Sequence, residues 1–141
     1  MSLFGNQPAK SDVFATISGE ELTEIVREMG FAPELTVDSQ GDPMVKFRIE
    51  GLRCQILFYG CKDGRANSIQ FNSVFSSDAP LEKINDWNLK KRFGKASLDA
   101  DHDVLFQMDV DLDGGVKRDY FEEIIKRWRS VFLSFARFLS E

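Results

Sequence analysis

The C-terminal part of the chain carries the pattern that most restricts the fold. Over residues 117 to about 140, apolar side chains recur at spacings of three and four, which is the period of an amphipathic α-helix. They are Phe121, Ile124, Ile125, Trp128, Val131, Phe132, Phe135, Phe138 and Leu139. The pattern predicts a long helix that packs across a sheet, where each buried side chain contributes roughly 1.5 to 3 kcal/mol.

The apolar stripe on this predicted helix is wider than one packing face requires. Its residues follow two neighbouring seams, and an arc of that width can face a sheet on one side and a second molecule on the other. We therefore expect the helix to contribute to a homodimer or to a partner-binding surface. The candidate residues are Trp128, Phe132, Phe135 and Phe138.

The first half of the chain predicts one helix and then four strands. Ser18 and Glu21 have the spacing of a capping box, and apolar residues follow on one helical face until Gly30. From Glu34 onward the hydrophobic period changes to two, in four runs separated by turn residues. The runs cover residues 35–37, 45–49, 54–59 and 69–75. Four strands in series predict an antiparallel meander.

The second half predicts a helix, a hairpin and the terminal helix. Ser77, Asp78 and Pro80 are typical of a helix start, and this helix should run to about residue 92. Runs at 95–99 and 104–112 then form a hairpin. The predicted order is α-β-β-β-β-α-β-β-α, an α+β fold in which helices flank an antiparallel sheet.

The length of 141 residues predicts one domain. We assign it to residues 15–141, after a flexible lead-in of residues 1–14. The formal net charge of -5 argues against a nucleic-acid partner, because non-specific binding to nucleic acid relies on Lys and Arg. No run approaches the roughly 20 apolar residues that cross a bilayer, and residues 1–10 lack a signal-peptide pattern. We therefore expect a cytoplasmic protein without a membrane partner.

A cluster of aspartates makes a metal site the first chemistry to consider. Asp109, Asp111 and Asp113 imitate the opening of an EF-hand loop, but Tyr120 stands where the loop needs a bidentate Glu. Apolar residues alternate with these aspartates, which indicates the solvated face of a strand. We predict no metal site. The three aspartates remain the candidates for an alternative function, a regulator that senses a ligand or a metal through this hairpin.

Other reactive residues do not form a recognisable catalytic arrangement. His102 is the only histidine and lies in a predicted turn. Cys54 and Cys61 lie on one predicted strand segment, about 23 Å apart if extended, so they cannot bridge each other there. The glycines at 114–115 lack the pattern of a phosphate loop and predict a strand-to-helix turn with positive φ. We expect no enzyme activity and no cofactor.

Several strings in the second half resemble the YbjN domain family of bacterial proteins. They are Asn85-Asp-Trp87-Asn88, Arg92-Phe93, the Asp-rich hairpin and Gly114-Gly115-Val116, in the family's order. The resemblance extends from about residue 18 to the end of the chain. It implies a fold similar to type III secretion chaperones, often as a homodimer, and a role in regulating sensory transduction. It implies no known reaction.

The resemblance leaves two interpretations of the polar motif residues. On a helix, Asn88 and Arg92 share one face and could present a polar handle to a partner. Alternatively, Asn88 satisfies backbone groups and Arg92 pairs with a nearby Asp. For the whole chain we predict a non-enzymatic protein-binding module, chaperone-like or regulatory, that offers grooves or sheet edges to a protein partner.

Overall fold

The computed structural model describes residues 13–141 of the chain. Its elements, in chain order, are β1 (Val13–Phe14), β2 (Ile17–Ser18), α1 (Gly19–Glu28), β3 (Glu34–Val37), β4 (Pro43–Ile49), β5 (Leu52–Tyr59), β6 (Arg65–Ala66), β7 (Ser68–Phe75), α2 (Leu81–Lys90), β8 (Lys95–Leu98), β9 (Val104–Asp111), β10 (Val116–Lys117) and α3 (Arg118–Ser140). The longer elements follow the predicted order, and the α+β class is confirmed.

Six of the strands form one antiparallel sheet in the order β3-β4-β5-β7-β9-β8. The first four are neighbours in the order in which the chain makes them, as the predicted meander requires. The β8–β9 hairpin then joins through β9, because β9 pairs with β7 along eight residues. Consequently β3 and β8 are the two edges of the sheet.

Two short pairings were not predicted. β1 pairs with β10, and β2 pairs with β6. Val13 and Phe14 were assigned to the flexible lead-in, and that assignment is wrong because both residues lie in β1. Phe14 is buried, with its ring edge-on to Phe121 at 5.5 Å between centroids. The rest of the predicted lead-in, residues 1–12, lies outside the described residues.

The start of α1 follows its local sequence, whereas the start of α2 does not use the predicted cap. At α1, Ser18 Oγ accepts from the Glu21 amide at 3.1 Å and Glu21 Oε1 accepts from the Ser18 amide at 2.9 Å, which completes the predicted capping box. At α2 the N-cap is Pro80, without a side-chain cap. Ser77 instead accepts a hydrogen bond from Ala79 and forms a local turn ahead of the helix.

The core lies between one face of the sheet and the helices. β9 illustrates the alternation: Val104, Phe106, Met108 and Val110 are buried, and the residues between them are not. Phe106 stacks on Phe135 of α3, with 4.3 Å between ring centroids and 5° between ring planes. Among residues 13–141, no helix is long and apolar enough to cross a membrane.

The apolar arc of α3 is core, which corrects the expectation of an accessible docking stripe. Trp128, Phe132 and Phe135 have no exposed surface, and Phe138 is half-buried. The arc is wide because it has two partners within the chain. The sheet contacts it through Phe71 and Phe106, and α2 contacts it through Trp87. Three of the four candidate residues on α3 are therefore inaccessible to a partner in this fold.

Candidate partner-binding site

Trp87 anchors the connection between α2 and β8. Its ring is buried and meets Phe135 edge-on at 5.0 Å and Phe106 at 5.6 Å. Its indole Nε1 donates a hydrogen bond to the Gly94 carbonyl at 3.1 Å. Buried indole N–H groups usually have such an acceptor. The bond therefore fixes the position of the connecting loop relative to the core.

Asn88, one residue further along α2, binds the backbone of the sheet edge. Its Nδ2 donates to the Ala96 carbonyl at 2.9 Å, and its Oδ1 accepts from the Ala96 amide at 3.0 Å. These two bonds take the place that a neighbouring strand would have on β8. This geometry agrees with the interpretation that Asn88 satisfies backbone groups. It does not agree with the interpretation that Asn88 presents its amide to a partner, because both polar atoms of the amide already bond Ala96.

Asn85 differs from Asn88 in its hydrogen bonds. Both residues are exposed, and both line a hollow of about 520 Å³ between α2 and β8, together with Leu81 and Leu98. The side chain of Asn85 makes no hydrogen bond to another of the described residues, whereas that of Asn88 makes two. Of the two motif asparagines, only Asn88 therefore has a visible structural task.

The loop after α2 passes so close to the core that Gly94 has no room for a side chain. A Cβ placed on Gly94 would overlap the buried ring of Phe106. Immediately before it, Phe93 has a φ of 75°, in the left-handed region that bulky residues rarely adopt. The close approach at Gly94 and the bond from Trp87 hold the loop, and the Phe93 side chain is directed outward, 50% exposed.

Two arginines lie over this exposed ring. The guanidinium carbon of Arg92 is 4.8 Å from the centroid of Phe93, and that of Arg127 on α3 is 4.5 Å from it. Both distances are within the range of cation–π contacts. We call Arg92, Phe93 and Arg127 the Arg–Phe–Arg cluster. It joins the loop to α3 at the surface.

The predicted pairing of Arg92 with an aspartate is wrong. Within residues 13–141, neither Arg92 nor Arg127 has a carboxylate within 4 Å, since the ion pairs there involve other residues. Arg92 contacts the Phe93 ring instead, because the loop directs the side chains of Arg92 and Phe93 to the same part of the surface. Sequence reasoning singled out Arg92 and Phe93 but missed Arg127. No local signal connects Arg127 with a loop so distant in the sequence.

The Asp-rich hairpin contains local turns and a solvated strand face. Asp109 and Asp111 are exposed on β9, as the alternation predicted. Asp99 accepts hydrogen bonds from the amides of Asp101 and Asp103, both at 2.9 Å, and Asp111 accepts one from Asp113 at 2.9 Å. No group of three or more His, Cys, Asp or Glu side chains in the described part of the chain is placed to hold a metal ion.

The remaining sequence features occupy turns or the core. His102 is exposed with a φ of 65°. This turn therefore requires a left-handed backbone, the conformation that favours glycine. Gly114 and Gly115 have φ of 91° and 89° between β9 and β10, in agreement with the predicted positive-φ turn. A Cβ on Gly115 would also overlap Val13 of β1.

Both cysteines are free thiols, and the surroundings of each disfavour the reactive thiolate. Burial raises the pKa of the Cys54 thiol to about 12, and the neighbouring Trp128 lowers it by less. Partial burial and the nearby Asp42 carboxylate also raise the pKa of Cys61. Since the thiolate is the nucleophile, neither residue is prepared for covalent chemistry.

Comparison with known proteins identifies the family. The model of the YbjN family, described as "Putative bacterial sensory transduction regulator", matches residues 18–141. A solved structure titled "Crystal structure of YbjN, a putative transcription regulator from E. coli" superposes with a TM-score of 0.65 at 14% sequence identity. The match covers 84% of this chain and 87% of that one. At this identity the structural likeness concerns the fold alone. No curated protein matches the chain.

Proposed function

The chain belongs to the YbjN family over residues 18–141, and from this premise we propose that it is a non-enzymatic regulatory module that binds a protein segment at the Arg–Phe–Arg cluster. The observation that carries the proposal is the conformation of Phe93. A bulky aromatic residue is held at positive φ with half of its surface in water. The backbone conformation opposes folding, the exposed half of the ring contributes nothing to it, and neither feature is needed to fill the core.

The strain at Phe93 is maintained by its surroundings. Left-handed backbone costs a bulky residue on the order of 1–2 kcal/mol, and such strain is concentrated at functional sites. Here Gly94 packs against Phe106, and Trp87 holds the Gly94 carbonyl. These contacts with the core therefore fix the backbone at Phe93 before any partner arrives. A preorganised residue loses less conformational entropy on binding.

The charges around the ring specify the chemistry of the partner. Arg92 and Arg127 lie over Phe93. Lys91, at the C-terminal end of α2, has its Nζ 5.9 Å from the centroid of the Trp87 ring. Two guanidinium groups without a carboxylate partner in the described residues can bind carboxylates in bidentate geometry. Aromatic and Arg side chains are also the residues enriched in the energetic centres of protein interfaces. The proposed ligand is an acidic segment with an apolar residue that packs on Phe93.

Binding without catalysis fits the reactive residues of the chain. Cys54 is buried with a raised pKa, and His102 lies in an exposed turn away from the core. The predicted likeness to type III secretion chaperones, which rests on fold analogy, points to the same class of function. The family description as a regulator is compatible with a module that acts through its partner.

Affinity capture from the source cell tests the proposal. The bait is the full chain, beside the variants Phe93→Ala and Leu89→Ala. Leu89 is a matched control because it is an apolar residue of α2 that is 76% exposed and lies close in sequence to Phe93. Proteins retained by the wild type and by Leu89→Ala should be lost from Phe93→Ala. If Phe93→Ala retains the same proteins, the cluster is not the binding site.

The charge of the partner is tested separately. Arg127→Glu should lose the same proteins as Phe93→Ala, because it places a carboxylate where an acidic segment must bind. Arg129→Glu is the control, since Arg129 lies on the same helix and pairs with Glu50 at 2.7 Å. Retention by Arg129→Glu together with loss from Arg127→Glu would support an acidic segment at the cluster.

A further inference from the structure

We propose that a second copy of this chain docks face to face on the open side of the six-stranded sheet. The sequence predicted a homodimer through α3, but Trp128, Phe132 and Phe135 of that helix are buried within the single chain. The open side of the sheet is the side opposite the core. Arg48, Arg53, Val74, Asp109 and Asp111 on that side are exposed.

The centre of this open face is a hydrogen-bonded ladder of amide side chains. Gln55 donates to Asn72 at 3.3 Å, and Asn72 donates to Gln70 at 3.3 Å. Gln70 in turn donates to Asp109 at 2.8 Å and accepts from Gln107 at 3.1 Å. The ladder crosses β5, β7 and β9.

The ladder makes the face suitable for covering by another protein surface. Burying an unpaired amide costs roughly 1–3 kcal/mol, whereas an amide that already has its partner avoids most of that penalty. Gln70 and Asn72 are already buried in the single chain, at 9% and 5% exposure. Their polar atoms are therefore satisfied within the face before a second copy arrives.

Two hollows of opposite charge lie on either side of the ladder. One, of about 700 Å³, is lined by Lys46, Arg48 and Arg53, with Glu34 as its single carboxylate. The other, of about 560 Å³, is lined by Asp109, Asp111 and Asp113, beside Tyr59. Arg53 and Tyr59 lie near opposite ends of β5, so the outer ends of the two hollows are roughly 20 Å apart.

The charged groups of these hollows form no ion pairs with one another or with other described residues. Among the described residues, no ion pair within 4 Å involves the three cations of the first hollow or the three aspartates of the second. A chain with a net charge of -5 would repel a second copy unless local charges compensate. Here the basic hollow of one copy and the acidic hollow of the other supply that compensation.

In a two-fold symmetric dimer, the contact between a basic hollow and an acidic hollow forms twice. In an isologous dimer, each contact from residue i to residue j is repeated from j to i. An axis in the plane of the interface that runs along the amide ladder, across the strands, places each basic hollow opposite the partner's acidic hollow. Strand spacing and length give the face a flat area of roughly 500–600 Å². Two such faces reach the approximately 1,000 Å² expected of a specific interface.

Complementary charge reversal tests the proposal by sedimentation equilibrium. The variant Arg48→Glu/Arg53→Glu makes both hollows acidic, and Asp109→Lys/Asp111→Lys makes both basic. The wild type should have twice the chain mass of 16.1 kDa at tens of micromolar, and each variant alone should have the mass of one chain. An equimolar mixture of the two variants should return to the mass of two chains, because each then offers the charge that the other needs.

Several outcomes would overturn the proposal. They are a wild type with the mass of one chain, variants that still dimerise separately, and a mixture that stays monomeric. If a variant does not fold, as judged by circular dichroism, the salt dependence of the wild-type dimer decides instead. Its dissociation constant must then rise between 0.1 M and 1 M NaCl, and a constant value overturns the proposal. Phe93 takes no part in these measurements, so their failure leaves the capture experiments unaffected.

Discussion

Asn88 on α2 and Ala96 on β8 are joined by two hydrogen bonds, one to the carbonyl and one from the amide of Ala96. The side-chain amide thereby replaces a neighbouring strand at the sheet edge and ties α2 to that edge.

Replacing Asn88 by Ala should lower the free energy of unfolding by about 1–3 kcal/mol, because two partly buried backbone groups lose their partner. Urea denaturation measures the change. Asn85→Ala is the matched control and should change stability by less than about 0.5 kcal/mol, since the exposed Asn85 side chain makes no hydrogen bond to another described residue. Equal losses from the two variants would show that Asn88 has no special structural task.

Replacing Gly94 by Ala should destabilise the fold by about 1–3 kcal/mol, because the new methyl group overlaps the Phe106 ring. A double-mutant cycle isolates this cause. In a Phe106→Leu background the ring is gone, and the same change at Gly94 should cost markedly less. Simple additivity of the two changes would contradict the predicted overlap.

The two substitutions of Phe93 by Gly and by Ala should differ in stability. Both remove the ring and its contacts with Arg92 and Arg127, but only Gly adopts a φ of 75° without strain. Phe93→Gly should therefore be more stable than Phe93→Ala by about 1 kcal/mol. Thermal unfolding of the two variants gives the difference. Identical melting temperatures would mean that the backbone at Phe93 is unstrained in solution.

Sequence patterns were sufficient for elements that are determined locally. The capping box of Ser18 and Glu21, the alternation along β9 and the positive φ at Gly114 and Gly115 each follow from a short window. The two-residue strands were missed because their partners are distant in sequence: Val13 pairs with Lys117. Two-residue strands contain no period from which they could be recognised.

The candidate site was only partly predictable for the same physical reason. Arg92 and Phe93 stand out as motif residues, but Arg127 reaches them only through the packing of α3. The width of the apolar arc on α3 was interpreted as surplus surface. In the fold it reflects contact with α2 as well as with the sheet, through pairs such as Trp87 and Phe135. Periodicity measures the width of an apolar face but does not identify what covers it.

Cys54 should make stability depend on pH under alkaline conditions. Its pKa is about 12 in the fold against an ordinary value of 9.0, so the unfolded chain loses this proton first. The stabilisation by the buried thiol is complete below pH 9 and is lost as pH rises from 9 toward 12, at up to about 1.4 kcal/mol per pH unit.

Chemical denaturation at pH 8, 9.5 and 10.5 measures this slope. The slope should be smaller in Cys54→Ala, while other groups that titrate in this range contribute equally to both proteins. Cys61→Ala is the comparison variant: the pKa of Cys61 is also raised, but Cys61 is only half-buried, so its removal should reduce the slope by less than the removal of Cys54. A Cys54→Ala variant with the slope of the wild type would contradict the raised pKa.

The central claim, that the exposed ring of Phe93 contacts a protein partner, is tested most directly by photo-crosslinking in the source cell. A benzophenone amino acid is placed at position 93 in one strain and at position 89, on the neighbouring exposed surface, in another. Illumination should produce a discrete species heavier than the chain from position 93, and Arg127→Glu should abolish it. No crosslink at position 93, or equal crosslinks from both positions, would contradict the account.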